Sequence, residues 1–287
     1  MPDKKIIQAV KQKATGKTSP DGTRYDSLSV TSVAFLAKFT GIASRFVEIV
    51  ALENNIIPER YIRNMQTLSI TDQISLLKAT VCIVGLGGLG GTVTELLARL
   101  GIGTLTLVDG DTFDDSNLNR QILSTQQLLA TSKATAAATR VKAINASVEI
   151  TACAEFIDTD SARQLINDTD VVVDCLDDIK TRFILEDAAR DAVIPMVSAA
   201  VAGHIGQITT IFPEDTGLRL IYGEPGSAIA AKGAETLLGT PPYTVTMAAS
   251  LEVSQITKVL LKQKGILRNQ LLFFDLDQNT FEILQLK

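Results

Sequence analysis

The residues Gly85-Leu86-Gly87-Gly88-Leu89-Gly90 carry the first chemical signal in this chain. They form a GxGxxG turn that follows an apolar run, Val81 to Val84, and opens a stretch of helical character. The first glycine permits a tight turn, the second lets backbone approach a phosphate, and the third lets helix and strand pack closely. The N–H groups and positive dipole at the helix start then favour an anion. Asp109 closes the next strand, 19 residues after Gly90. A carboxylate there can accept from ribose hydroxyls. These spacings predict a nucleotide site.

The glycines and Asp109 suit NAD and ATP equally, and the residues that follow separate the two. Asp111 to Gln121 is a polar loop that brings Asn117, Arg120 and Gln121 beside the ribose carboxylate, and Lys133 opens the next helix. A triphosphate needs more neutralisation than a diphosphate, and Arg120, Lys133 and a metal would supply it. Asp177 and Asp178 follow the apolar strand Val171–Cys175, at the carboxyl end of the sheet, where ligands bind in such folds. A carboxylate there can hold magnesium, which takes one or two carboxylates plus phosphate oxygens and water. Any one of these charges alone reads equally well as a solvated loop residue. Their joint placement at strand ends favours ATP.

The elements that must position them follow from hydrophobic period. Strands are predicted at Val81–Gly85, Thr104–Val108, Val148–Ala152, Val171–Cys175 and Pro195–Ala199. Helices are predicted at Gly90–Leu100, Ser132–Ile144, Asp160–Ile166 and Lys180–Ala192. This alternation implies an α/β, Rossmann-like, mainly parallel sheet with helices on both faces. A β-rich run at Gly206–Phe212, a helix at Thr244–Lys264 and a hairpin of Leu271–Asp275 with Thr280–Leu286 add a C-terminal antiparallel extension. Residues 213–243, rich in Gly, Pro and Ala, read as a functional lid, because long structureless loops are uncommon as spacers. Residues 28–58 read as a small helical appendage, two short helices joined at Gly41. Its helix–turn–helix outline reads as packing, because Glu48 and Glu53 accompany Arg45 on the would-be reading helix. Residues 1–27 are expected to form a flexible head with little to bury.

Composition excludes several classes. The 287 residues, 46% hydrophobic, suffice for one large α/β domain, or a large one with a small one. The net charge of −5, without a run of five like charges, disfavours nucleic acid as the main partner. The N-terminal 20 residues hold no apolar secretory core, and no run is long enough to span a membrane. Cys82, Cys153 and Cys175 form no CxxC pair, so a cytoplasmic home is expected. His204 is the only histidine, which removes chemistry that needs two.

Taken together these residues resemble the ThiF/MoeB/HesA family, relatives of the ubiquitin-activating enzyme. The resemblance runs from about Arg60 to Lys287. It rests on Arg60-Tyr61-Ile62-Arg63, Gly85–Gly90, Val108-Asp109-Gly110-Asp111 and Ser116-Asn117-Leu118-Asn119-Arg120-Gln121. Ser132-Lys133-Ala134, Asp174-Cys175-Leu176-Asp177-Asp178 with Arg182, and Gly206-Gln207-Ile208 complete it. The resemblance implies an adenylyltransferase. Such an enzyme uses Mg·ATP to adenylate the C-terminal glycine carboxylate of a small ubiquitin-like sulfur carrier ending in Gly-Gly, in molybdopterin- or thiamine-type cofactor synthesis. It implies that Gly85, Gly87, Gly88, Gly90 and Asp111 line the ATP site within a domain spanning 59–287. Asp109 would bind ribose, Asn117, Arg120, Gln121 and Lys133 the phosphates, and Asp177 magnesium. It also implies that Arg63 reaches into a neighbouring subunit's site, making a homodimer, and that 213–243 is the crossover loop over the carrier's tail.

Two features depart from the family. The CxxC pairs that hold structural zinc in many members are replaced, here by Gly217-Leu218-Arg219-Leu220, so no zinc is expected. Residues 203–245 hold no cysteine for a thioester, so the enzyme is expected to stop at the adenylate and leave sulfur transfer to a separate donor. Two other readings compete. An NAD-dependent oxidoreductase leaves Asn117–Gln121 and Asp177 idle, and a non-catalytic regulator leaves Arg63, Arg120, Lys133 and Asp177 unexplained. Within the family, a peptide or tRNA-linked carboxylate could replace the carrier.

Overall fold

Strand stretches that are wholly apolar must be covered on both faces, and the runs Val81–Val84 and Val171–Val173 are of that kind. The structure, a computed structural model, describes residues 4–19, 21–224 and 234–287; residues 225–233 of the expected crossover loop lie outside the described residues. Elements α1 (Lys4–Lys13), β1 (Thr15–Thr18), β2 (Arg24–Leu28), α2 (Val30–Thr40), α3 (Ser44–Glu53) and β3 (Ile56–Pro58) come first. Then follow α4 (Ile70–Lys78), β4 (Thr80–Val84), α5 (Gly88–Leu100), β5 (Thr104–Val108), α6 (Lys133–Ile144), β6 (Glu149–Cys153), α7 (Thr159–Leu165), β7 (Val171–Asp174) and α8 (Ile179–Asp191). The chain closes with β8 (Met196–Ala202), β9 (Ile205–Ile211), α9 (Arg219–Tyr222), α10 (Glu235–Leu238), α11 (Pro242–Leu260), β10 (Gln270–Asp275) and β11 (Thr280–Gln285).

The large sheet runs β11-β10-β9-β8-β7-β4-β5-β6. From β8 to β6 the strands are parallel, and β9, β10 and β11 add antiparallel. Alternation along each strand divides the core. Val81, Ile83, Leu105 and Leu107 join one apolar cluster with residues of α5 and α11. Cys82, Val84, Val108 and Val172 join the other with residues of α8. Each fully buried aliphatic side chain contributes about 1.5–3 kcal/mol. Strand order reverses around β4, with β5 on one side and β7 on the other, so the crevice expected of such sheets opens at the carboxyl ends of β4 and β7.

The first 27 residues differ from expectation. The stretch 1–27 was expected to be a flexible head, yet α1 buries Ile6 and Val10 against Leu28, Val33, Val47 and Val50 in a core of its own. Only two of the ten residues in α1 are buried, so its short apolar stripe is hidden among lysines and glutamines. β1, β2 and β3 form a small sheet beside the helices. Ser29 caps α2 by accepting from Ser32 N–H, and Gly41 ends it in the left-handed region. Arg45, the basic residue of α3, bonds Thr104 and Glu149 of the large sheet. It is thus committed to the protein's own packing.

A buried polar cluster joins the two parts. Glu48 on α3 is fully buried and meets Arg60 Nε at 3.3 Å. The Tyr61 hydroxyl donates to Glu48 Oε2 at 3.1 Å and accepts from Asn145 Nδ2 at 3.0 Å. Burial pushes the Glu48 carboxyl above its ordinary range, and Arg60 opposes that shift. Arg60→Ala would leave this carboxyl buried without its cation. It is expected to lower unfolding stability by about 3–5 kcal/mol in urea titrations; a change below about 1 kcal/mol would show that the pair does not hold the junction.

Candidate active site

The turn after β4 is shaped by contact with the turn after β7. Gly85 has φ +87°, and a Cβ on it would fall 2.7 Å from the carbonyl oxygen of Cys175. A Cβ on Gly90 would fall 1.7 Å from the carbonyl oxygen of Gly85. Neither position admits a side chain, so α5 starts hard against the strand ends. α5 also opens without a side-chain cap, and the first-turn N–H groups of such a helix have no intrahelical partners. By contrast Ser132 caps α6, Asp158 caps α7 and Asp178 caps α8.

A cleft of about 1060 Å³ lies over these strand ends, at the upper end of small-molecule sites. Gly85, Gly87, Gly88, Asp109, Asp111, Asn117, Arg120, Gln121, Lys133 and Asp177 all line it. Gly90 shapes it from behind. Arg63 is exposed and outside its lining.

Inside the cleft the residues differ in how committed they are. Asp109 Oδ2 accepts from Leu86 N–H at 2.6 Å and Oδ1 from Asp111 N–H at 2.8 Å. Burial raises its carboxyl, against the lowering effect of those bonds and of Lys133. Lys133 Nζ, itself buried, meets Asp111 Oδ2 at 2.9 Å. Asn117 bonds Asp114 and holds the turn that carries Arg120. Arg120 Nη1 donates to the carbonyl of Ser116 and to Asn119 Oδ1. Among the described residues no carboxylate pairs with Arg120. Gln121 is buried, and its Oε1 makes no hydrogen bond. Asp178 is spent on Thr181 N–H at 2.7 Å as the α8 cap, whereas Asp177 stands exposed at the cleft.

Several residues here were not anticipated from the sequence. Tyr222 lines the cleft and its hydroxyl accepts from Gln207 Nε2 at 2.9 Å. Phe156 lines it from the loop after β6; its position just past a strand end was the available signal. Beneath the β7 loop, Arg182 Nη1 donates to Asp174 Oδ2 at 2.8 Å and Ser198 Oγ at 3.2 Å, and Nη2 to the carbonyls of Ala199 and Leu176. Glu252 of α11 is fully buried, with Oε2 accepting from Cys175 Sγ at 3.6 Å and Oε1 unpartnered. Burial, then the charge of Asp174, holds Glu252 well above the carboxylate range. Burial also raises the thiol of Cys175, and that of Cys82 to about 12. Cys153 is raised too, by burial and Glu155.

Comparison with known proteins fits this geometry. The ThiF family profile matches residues 60–287. The chain is 34% identical to the SAMP-activating enzyme E1 of Haloferax volcanii, over 78% of this chain and 83% of that protein. It is 35% identical to the adenylyltransferase and sulfurtransferase MOCS3 of Mus musculus, over 69% of this chain but 44% of that protein. The chain thus spans less than half of the mouse protein. Among solved structures it is similar in fold to E. coli MccB with ATP (TM-score 0.68, 20% identity) and with MccA-N7isoASN (TM-score 0.69, 19% identity). Each match covers 90% of this chain and 79% of the other.

The Glu252 carboxyl makes a pH prediction. Its folded value lies above its ordinary 4.5, so unfolding releases a proton. Its contribution is full below the unfolded value and is lost as pH rises toward the folded one. Glu252→Gln cannot ionise. As pH rises above about 5, urea melts should shift in the variant's favour by up to about 1.4 kcal/mol per pH unit. Parallel curves for variant and parent would contradict a neutral, buried Glu252.

Proposed function

The chain belongs to the ThiF family, and from that premise we propose that it is an ATP-dependent adenylyltransferase. The reaction joins the C-terminal carboxylate of a small ubiquitin-like sulfur carrier to AMP and releases pyrophosphate. The observation that carries this reading is the composition of the cleft. Beside an uncapped helix start it collects a ribose-type carboxylate, a cation without a carboxylate partner, a buried amide oxygen without a partner, and an exposed Asp177.

These residues fit Mg·ATP. Among the described lining residues seven carboxylates face three cations, Arg120, Lys133 and Arg182. Lys133 and Arg182 are already paired with Asp111 and Asp174. A polyanion therefore gains little net attraction here without a divalent cation and further positive charge. Asp177, exposed at the cleft and in no ion pair among the described residues, would hold magnesium, and bound there the metal would neutralise phosphate oxygens. Gln121 Oε1 would accept from a donor in its shell or on the ligand. The open lone pairs of Asp109 would accept from ribose hydroxyls.

The chemistry then needs no general base. A terminal carboxylate, with a pKa of about 3.5, is already ionised at neutral pH. Attack at the α-phosphorus depends on alignment and on neutralising the departing pyrophosphate, for which Arg120, Lys133 and the α5 N-terminus are placed. The raised thiols of Cys82, Cys153 and Cys175 are poor nucleophiles. They support an enzyme that stops at the adenylate and leaves sulfur to another protein. Arg63 serves the cleft of a second copy in this reading, and a homodimer shares its sites. No helix among the described residues is long and apolar enough to cross a membrane, which is compatible with work in the cytoplasm.

A second reading concerns the acceptor. The likeness to MccB extends beyond 60–287 into the first unit, and MccB has been solved with MccA. A peptide carboxylate could replace that of the carrier with the same cleft chemistry.

ATP–pyrophosphate exchange tests the main reading. With a carrier present the parent should exchange, and Arg120→Ala or Asp177→Ala should slow exchange about 30- to 900-fold, the equivalent of about 2–4 kcal/mol. Exchange by Arg120→Ala at the parent's rate would overturn the assignment. Mixing Arg63→Ala with Asp177→Ala subunits should recover part of the lost rate if sites are shared; no recovery would remove the partner role of Arg63.

A further inference from the structure

Phe156 is 72% exposed, although a phenylalanine gains most by burial. Its backbone is well held. β5 and β6 pair in parallel through Val108 and Cys153, and Asp109 N–H donates to the Cys153 carbonyl at 3.1 Å. Residues 109–111 and 154–157 therefore leave the sheet side by side. On the far side of Phe156, Ile157 packs into the second core cluster, and Asp158 caps α7 through the N–H groups of Asp160 and Ser161. The ring lies over Gly110, so closely that a Cβ at 110 would fall 2.6 Å from Phe156 Cδ2. An anchored loop thus presents an aromatic face to the cleft, directly beside the residue that follows Asp109.

We propose that Phe156 is the platform on which the base of the bound nucleotide stacks, an inference that rests on the nucleotide reading of the cleft. If Asp109 holds the ribose, the base lies within one sugar's width of Gly110. The phosphates extend the other way, toward the α5 start and Arg120. Ile157, Leu176 and Ile179 also line the cleft and pack against the second core cluster, which gives a base apolar surface besides Phe156. A flat apolar ring met by a flat π-face accounts both for the exposure of Phe156 and for the lack of any side chain at 110. Stacking of this kind contributes about 1–3 kcal/mol per base. It adds to affinity without touching the reacting phosphates.

The chain has no tryptophan, so Phe156→Trp installs a single tryptophan, excited selectively at its red edge, at the proposed contact. Its emission should change on adding Mg·ATP or AMP, with the same Kd that calorimetry gives, and should not respond to inorganic triphosphate. Phe156→Ala should weaken Mg·ATP binding about five- to 150-fold while inorganic triphosphate binds as before, and Phe156→Tyr should restore the affinity. ATP binding with silent Trp emission, together with parental affinity in Phe156→Ala, would overturn the platform and leave the adenylyltransferase reading standing. Failure of the parent to bind ATP at all would overturn both.

Discussion

The cleft depends on one buried guanidinium. Arg182 is almost fully withdrawn from water, which costs several kcal/mol unless its donors are met. They are met by the Asp174 carboxylate, the Ser198 hydroxyl and the carbonyls of Leu176 and Ala199. These partners lie on β7, on β8 and on the loop that leaves β7. One side chain therefore fixes two strand ends and the course of Cys175-Leu176-Asp177. Asp174 adds to this, since its Oδ1 accepts from Leu176 N–H at 3.1 Å. The glycine turn after β4 then has a rigid surface to rest on, and the contact of Gly85 with Cys175 leaves no room for slack. Where Asp177 stands relative to the start of α5 is a consequence of this buried pair.

That frame carries an unusual charge balance. A site for a polyanion would ordinarily be lined with free cations, yet here two of the three are neutralised by their own carboxylates. Such a cleft discriminates. In the proposed reading it would hold a nucleotide through ribose, base and metal together, and so more tightly than a bare phosphate. It also leaves Arg120 as the lining cation without a carboxylate partner among the described residues, and in the proposed reaction that cation would follow charge as it develops on a leaving pyrophosphate, where a hydrogen-bond donor accelerates a reaction most.

Much of this was legible in the sequence because the signals are local. The buried central strands are mostly apolar, and GxGxxG and the Asp109 spacing are fixed by one βαβ unit. The antiparallel strands beyond Gly206 and the closing hairpin also stand where period and turn residues put them. What was not legible depends on distant partners. Asp177 and Asp178 are indistinguishable by type, so the family resemblance alone chose Asp177, and the α8 cap on Asp178 supplies the physical difference. Glu252 meets Cys175 across 77 positions of chain, so nothing near it marks it as a buried acid. The head over 1–27 looked too polar to fold because its apolar stripe is complete only when α3 supplies Val47 and Val50. Helix α4 went unread although Ser69 and Asp72 form a capping box at its start.

The junction cluster bears on Arg63. Tyr61 packs against Gly101 and bonds Asn145, and Asn145 bonds the Ala98 carbonyl, so this segment sits at the C-terminal ends of α5 and α6. The cleft lies at the opposite ends of the same helices. A helix of 13 residues is about 20 Å long. Arg63, two residues beyond Tyr61, is exposed and does not line the cleft of its own chain. The role proposed for such an arginine is at a second copy's cleft. The packing of Glu48, Arg60 and Tyr61 that fixes the first unit to the sheet would then also fix the angle at which that arginine is offered.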